Sequence, residues 1–394
     1  MPTHHQIETN VPLAASDLGH HPLGITSAER RLRMGLPLIS PGSRRPDHLI
    51  AVDLGGCQSK AVHLQRRSGG WALLNFALVE APPVEKQRDP GTLAEHFKAI
   101  VGALGNPKTK SLITAIGVEE SVLKQIELPM MASEDVRHML KLNAKTYLQL
   151  DLPDHLFDCA YLPPRQAAPA APTDGTKAPS SSQQKLKVIV TGAARKTVEA
   201  IQAAARSAGL SAESIVPSLI GPPNAFELVE PDAFHKEVVG LVDIGFKHSS
   251  IVILDSGEIL LNRVVNIGSE KLTSSLAEAM GISLSEAEGI KVGMPAEVQP
   301  TLEAVIAPLG RELRASFDFF EHQQDKTIAQ VFVSGGAARN DIIVQALQNM
   351  LMVPCKSWNP TKFLQVSVPP DKQGEVDQFA PQLSVVLGSA AASF

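Results

Sequence analysis

The sequence predicts an α/β fold with an internal duplication, whose two related hairpins can face each other across a cleft. Three observations carry that expectation. Strand-like and helix-like runs alternate from about residue 48 onward. The run "AVDLGGCQSKAVHL" is echoed by "LVDIGFKHSSIVIL", which places Asp243 on Asp53, 190 positions earlier, and Ser249 on Ser59. A further shift of two or three residues matches "ILLNRVV" to "ALLNFAL", so the whole hairpin signature recurs.

Each element follows from its own stretch. Residues 1–47 hold the pairs His4-His5 and His20-His21, prolines and glycines without sustained periodicity, apart from a short helical pattern from Ser27 to Met34; a disordered extension is expected. Adjacent histidines in such a tail lack the fixed geometry of a metal site. "LIAVDL", "KAVHLQ" and "WALLNFALV" read as strands, Thr92 to Leu104 as a helix, and Ser133 to Leu148 as another, with Ser133 and Glu134 at its start. The stretch "RQAAPAAPTDGTKAPSSSQQ" (165–184) cannot bury a core and is predicted to be a flexible loop between the strand-like runs "FDCAYL" and "KLKVIVTGAA". A helix follows and closes at Gly209. From residue 238, "EVVGLVDIGFKHSSIVILDSGEILLNRVV" reads as three strands joined by two turns.

Composition narrows the function classes. With 394 residues, 44% hydrophobic and 20% charged, the chain is long enough for a sizeable core and has the balance of a soluble globular protein. A net charge of -5 argues against a nucleic-acid binder, which carries a basic excess. The three cysteines, Cys57, Cys159 and Cys355, stand far apart in no metal-ligand spacing, which suits a reducing compartment; a cytosolic protein is expected. No stretch approaches the ~20 apolar residues that span a bilayer. The first 47 residues lack the apolar centre of a secretory signal, so membrane contact is expected only through a partner or a surface patch.

The repeated hairpin carries the chemistry. Gly55 and Gly245 permit backbone conformations closed to other residues, so each turn can aim successive N–H groups at an anion, and phosphate oxygens fit. Asp53 and Asp243, at strand ends, can approach a cation held by those phosphates, directly or through its water shell. Lys60 stands where a positive charge reaches a phosphate chain. One Asp-x-Gly is an ordinary turn; two copies facing each other can clamp a phosphate chain from both sides. A third motif, "QVFVSGGAARNDII" (330–343), runs from a strand through Gly335 and Gly336 to a helix opening near Asn340 and Asp341, a junction that admits a flat ligand or a phosphate. Upstream, Glu288 and Lys291 share one helical face, where they can reach a ribose or base or form a solvated ion pair. Neither a GxxxxGK[ST] loop nor a GxGxxG fingerprint is present. Cys57 is open between a thiol of lowered pKa in an anion-binding loop and a small residue that simply fits.

Together, "VDLGGCQSK", "VDIGFKHSS" and "VSGGAARND" resemble the two phosphate motifs and the adenosine motif of the actin, Hsp70 and sugar-kinase superfamily. Within it, the segments 121–162, "GAARKTVEAIQAAARSAGL" and "NIGSEKLTSSLAEAMGISLSEAEGIK" resemble the PilM family of type IV pilus assembly proteins, over roughly 48–394. The resemblance implies a bilobed actin-like, duplicated ribonuclease-H-like fold with ATP or ADP and magnesium in the cleft. It implies an inserted α/β subdomain at 109–208, of the PilM and FtsA type, between lobe I parts at 48–108 and 209–237. Lobe II would run over 238–375, and a C-terminal helix, 376–394, would return to lobe I. It extends the phosphate set to Gly55, Gly56, Cys57, Gln58, Ser59 and Lys60 with Gly245, Phe246 and Lys247. The adenosine set becomes Gly268, Glu288, Lys291, Gly335, Gly336, Ala337 and Asn340, with Asp53 and Asp243 near the metal through water.

The resemblance further implies a cytoplasmic protein, peripheral to the inner membrane through its partners, whose inserted subdomain grips the cytoplasmic N-terminal peptide of a PilN-like membrane protein. Other pilus-platform proteins and self-association are further contacts it allows. Ile126, Leu128, Met130 and Met131 are candidates for a peptide groove, or for ordinary core. The chain departs from the family pattern where acidic residues are expected: it has Asn143 and Lys145 ahead of Tyr147, and Val216 and Ser218 after "AGL". Pro222 and Pro223 fall where a helix would run, and Phe246, Lys247 and His248 make the second phosphate loop bulky. No residue presents itself to orient an attacking water, so weak or absent ATP hydrolysis is expected. A sugar-type kinase, or a degenerate scaffold without nucleotide, are the alternatives.

Overall fold

Alternation in the strands puts two apolar faces on each central sheet, and helices cover both. The structure, a computed structural model, describes residues 36–37, 46–162, 185–293 and 297–394. The expected disordered extension, its His pairs and the expected loop 165–184 lie almost wholly outside the described residues. In chain order the first half comprises β1 (Leu36–Pro37), β2 (His48–Asp53), β3 (Gln58–Arg67), β4 (Gly70–Glu80), α1 (Pro90–Ala103), β5 (Ser111–Ile116), β6 (Ser121–Pro129), α2 (Ser133–Leu148), β7 (His155–Tyr161), β8 (Lys185–Ala194), α3 (Arg195–Ser207), β9 (Ser211–Pro217), α4 (Gly221–Val229) and α5 (Pro231–Lys236). The second half comprises β10 (Val238–Ile244), β11 (Ser249–Asp255), β12 (Glu258–Val265), α6 (Ser269–Met280), α7 (Leu284–Gly293), α8 (Gln299–Gln324), β13 (Gln330–Gly335), α9 (Asp341–Leu351), β14 (Cys355–Ser357), β15 (Gln365–Val366), α10 (Val376–Phe379) and α11 (Ser384–Ala391).

The duplication seen in the sequence is a duplication of topology. One sheet runs β1-β9-β5-β2-β3-β4-β15 and the other β12-β11-β10-β13-β14. In each, three antiparallel strands (β2-β3-β4, β10-β11-β12) continue through two parallel ones (β5-β9, β13-β14). Asp53 pairs with Lys60 across the first hairpin and Asp243 with Ser250 across the second. A bulge falls in each meander, at His63/Leu64 and Ile253/Leu254, which is why the sequence repeat slips along the third strand.

Ile50, Val52, Leu112 and Ile215 face α1 and α3 through Phe97, Ile100 and Ile201. Their neighbours Leu49, Ala51 and Ile113 face the opposite way, onto Phe226 of α4 and Leu387 of α11. In lobe II, Val242, Ile244, Ile251 and Val333 pack under Leu313, Phe317 and Leu347 of α8 and α9.

A third sheet, β6-β8-β7, backs onto α2 through Leu128, Val136, Leu140, Phe157 and Val188. This inserted unit runs from Ser121 to Ala194, narrower than the expected 109–208, because β5 belongs to the seven-stranded sheet and α3 packs on that sheet beside α1. The return to lobe I likewise precedes residue 376, since β15 already pairs with β4. Pro222 and Pro223 sit in the first turn of α4, where a missing N–H costs no helical bond. Inside α2, Asn143 leaves helical geometry and its Oδ1 accepts from Thr146 Oγ1 at 2.7 Å, restarting the last turn much as a cap would. Of the four groove candidates Leu128 is core, Ile126 and Met131 pack against that core, and Met130 stands 74% exposed.

At the edge of lobe I, His48 Nδ1 and His63 Nε2 share one hydrogen bond at 3.2 Å. Burial, followed by the nearness of His48, lowers the His63 pKa from 6.5 to about 4. The folded form therefore binds its proton less readily than the unfolded chain, and stability is lost as pH falls from about 6.5 toward about 4. His63→Gln is expected to shrink the drop in melting temperature between pH 7 and pH 5; an equal drop in both proteins would count against this assignment.

Candidate functional site

Both hairpin bends sit at the C-terminal edges of their sheets, where parallel strands open a crevice. Neither Gly55 nor Gly245 has a left-handed backbone; what excludes a side chain is space. A Cβ on Gly55 would lie 2.5 Å from the Gln58 carbonyl oxygen, and one on Gly245 2.8 Å from that of His248. The same close approach thus shapes both bends, and the sequence-based reason for these glycines is corrected from dihedral freedom to clearance. Gly335 does need its freedom: its φ is +91°, and a Cβ there would meet the Ile244 carbonyl oxygen at 2.3 Å.

Asp53 and Asp243 enter one cavity of ≈ 270 Å³, with Gly55, Gly56 and Lys60 from lobe I and Gly245, Phe246 and Lys247 from lobe II. Lys60 Nζ stands 3.6 Å from Asp53 Oδ2. Asp243 Oδ1 accepts from Ser334 Oγ at 2.8 Å and Ser384 Oγ at 3.2 Å. Burial raises the pKa of both carboxyls; Lys60 opposes this at each, and the charge of Asp243 adds to the rise at Asp53. Two desolvated carboxylates opposed across a gap are short of positive charge, which suits the edge of a hydrated magnesium ion.

Other expected members of the phosphate set are placed elsewhere. Ser59 is 1% exposed, and its Oγ lies 2.8 Å from Nε2 of buried His96 on α1, so the side chain joins lobe I to its helix. Cys57 is exposed on the hairpin. Its thiol pKa is raised, by partial burial and then, against the pull of Lys60, by the carboxylates of Glu80, Glu288 and Glu270. The option of a lowered pKa is corrected: the acidic neighbours come from the facing lobe and from the far end of the hairpin, which the sequence does not bring near.

Apart from Gly268, the expected adenosine set lies at or beside a second cavity of ≈ 370 Å³, lined by Gly336, Ala337, Asn340 and Lys291 together with Asp377 and Gln378. Asn340 caps α9 by accepting from the Ile342 N–H and donates to the Lys291 carbonyl oxygen at 2.9 Å. Lys291, 5% exposed, donates to Thr273 Oγ1 at 2.8 Å and to Glu288 Oε2 at 2.6 Å. Burial pushes the Glu288 carboxyl up, but Lys291 and Thr273 outweigh it and leave the pKa below its usual value. The pair is an anchored one, not a loose surface pair. Gly268 lies behind the second bend, where a Cβ would meet the Phe246 carbonyl oxygen at 2.2 Å, so it supports the bend and not the second cavity.

Sequence reasoning missed Gln87, Arg88, Glu119 and Glu120, which line the first cavity with Ser218 and His248. Arg88 and Glu120 form a bidentate pair. Their segments carry no motif; the available signal was that loops after β4 and β5 must emerge at the edge where β2 ends.

Two sheets of the same five-strand topology, opposed across a cleft with an aspartate and a glycine bend from each, define the actin-like class. The chain matches the family model of the type IV pilus assembly protein PilM over residues 51–394. It belongs to that family. Among solved structures, it is similar to a PilM-PilN type IV pilus biogenesis complex, with 20% identity and a TM-score of 0.73, covering 89% of this chain and 100% of that one. It is also similar to the ethanolamine utilization protein EutJ from Carboxydothermus hydrogenoformans, with 16% identity and a TM-score of 0.50 over 90% of this chain and 94% of that one. Among the described residues, no helix is long and apolar enough to cross a membrane.

Proposed function

We propose that this PilM-family protein is a nucleotide-binding scaffold of a type IV pilus platform, taking ATP or ADP with magnesium in its cleft and turning it over slowly or not at all. The observation that carries this reading is the convergence of Asp53, Asp243 and both clearance-limited glycine bends on one cavity. The residues fit the group: backbone bends and Lys60 for phosphates, two carboxylates for a hydrated cation, and the Gly336 turn with Lys291 for adenosine. Magnesium, when bound, would offset the phosphate charge. Slow turnover is supported by Ser218, which lines the cavity without a carboxylate, and by Glu119 and Glu120, which are held by His248 and Arg88.

The inserted unit is the proposed seat of a PilN-like cytoplasmic tail. The related complex contains PilN, and Met130, Leu142 and Tyr147 are exposed on this unit. Such a partner would hold the protein at the inner face of the membrane.

Calorimetry with ATP and magnesium tests the nucleotide reading. A Cβ on Gly336 meets nothing within 4 Å, so Gly336→Arg is expected to fold normally while its side chain occupies the turn. ATP should bind the variant roughly 10-fold or more weakly, equal to about 1.4 kcal/mol or more. Equal binding by variant and wild type would reject this placement of adenosine, and no binding by the wild type would reject the nucleotide altogether.

A further inference from the structure

His248, the residue that closes the second bend, reaches across to the first lobe. Its Nε2 lies 2.8 Å from Glu119 Oε1 and its Nδ1 3.2 Å from Asn266 Oδ1. Glu119 stands in the turn between β5 and β6, and both residues line the phosphate cavity. Each end of this contact is stiff. The Glu120 N–H and Ser121 Oγ both donate to the Gly117 carbonyl oxygen, and Glu120 is gripped by Arg88. On the other side, the Gly245 N–H donates to the His248 carbonyl oxygen, while the Ser269 and Glu270 amides at the start of α6 donate to Gly245 and Phe246.

The contact also lies next to the inserted unit, because β6 begins at Ser121, two residues after Glu119. A second tie, the ion pair of Lys187 and Glu258, joins β8 of that unit to the β11–β12 hairpin of lobe II. Lobe II is therefore tied to the inserted unit directly at one point and, through Glu119, to the turn that leads into it at another. Each pair is partly exposed and modest in strength. Their effect comes from joining pieces that do not bend on their own.

We propose that Glu119 and His248 form an inter-lobe latch that transmits opening and closing of the cleft to β6, and so to the face of the inserted unit. The regulatory meaning rests on the reading given above, nucleotide in the cleft and a peptide on the inserted unit. If the second bend shifts as an anion enters, Glu119 follows His248, and the tight 117–120 turn passes the displacement into β6 instead of absorbing it.

Hydrogen exchange on the full chain decides the matter. Without ligand, Glu119→Ala and His248→Asn are each expected to raise amide exchange about threefold both at 245–249 and in β6, the scale of a half-exposed pair. The double variant should exceed neither single, since both remove one contact. His248→Gln, which keeps a donor in reach of Glu119, should restore the wild-type rate in β6. Changes confined to the replaced residue's own segment, or effects that multiply in the double variant, would overturn the latch. With ATP and magnesium, the wild type should gain protection at the bends and in β6, whereas Glu119→Ala should gain it at the bends alone; equal protection of β6 in both would overturn the coupling. A wild type that ATP does not protect would sink the nucleotide reading only, and the ligand-free comparison would still decide the latch.

Discussion

Gly388→Ala is expected to destabilise the protein by about 3 kcal/mol or more, at the upper end of what overpacking costs, because the added methyl has nowhere to go. Helices α4 and α11 cross with backbone against backbone: a Cβ on Gly388 would lie 1.7 Å from the Gly221 carbonyl oxygen, and one on Gly221 2.5 Å from that of Val385. Flexible side chains can turn aside, but here the obstructing atoms are main chain. The helices cannot simply part, since buried Asn224 donates to the Gly388 carbonyl oxygen at 3.2 Å and Leu387 and Phe226 belong to the same core. Gly289→Ala is the control. It sits inside α7 with open space around a Cβ, and the change should be neutral or stabilise by about 0.5–1 kcal/mol. Denaturant midpoints at unchanged slope measure both; a loss below about 1 kcal/mol for Gly388→Ala would mean that the crossing is far more yielding than its geometry.

Asp53→Asn should pull stability and ligand binding in opposite directions. The Asp53 carboxyl is raised above 3.8, first by burial and then by Asp243, with Lys60 opposing. A folded-state pKa above the unfolded one means a contribution that is most favourable in acid and is lost as pH rises through the folded value. At neutral pH the ionised group is thus a cost to the ligand-free protein. Removing its charge is expected to stabilise the apo form by about 0.5–2 kcal/mol, the usual yield of relieving a functional strain. The same change removes a carboxylate from the proposed cation region and should weaken ATP binding in magnesium by roughly 100-fold, about 2.8 kcal/mol. Thermal melting and calorimetry on one preparation measure both. Lower stability with unchanged affinity would assign Asp53 to the scaffold, not to the site.

Much of this architecture was legible locally. The strand ending in Asp53, the glycines beside it and their echo at Asp243 are short-range features, and so the repeat, the two sheets and the α2 helix could be read from the chain. Residues joined by distant contacts could not. Ser59 looked like a phosphate ligand, yet β3 alternation turns it inward onto His96. The inserted unit looked longer than it is, because β5 and α3 have the same local patterns whether they belong to lobe I or to the insertion.

The sequence by itself determined the duplication and the two aspartate bends, since periodicity and clearance-demanding glycines act within a few residues of where they are written. Only the tertiary structure decided that Arg88, Glu119 and Glu120 share a cavity with His248 and that Ser384 supports Asp243. Those residues come from loops and helices whose positions are set by strand order and by the crossing of α4 with α11. Such placement depends on the packing of whole elements, and no local spacing in a chain encodes it.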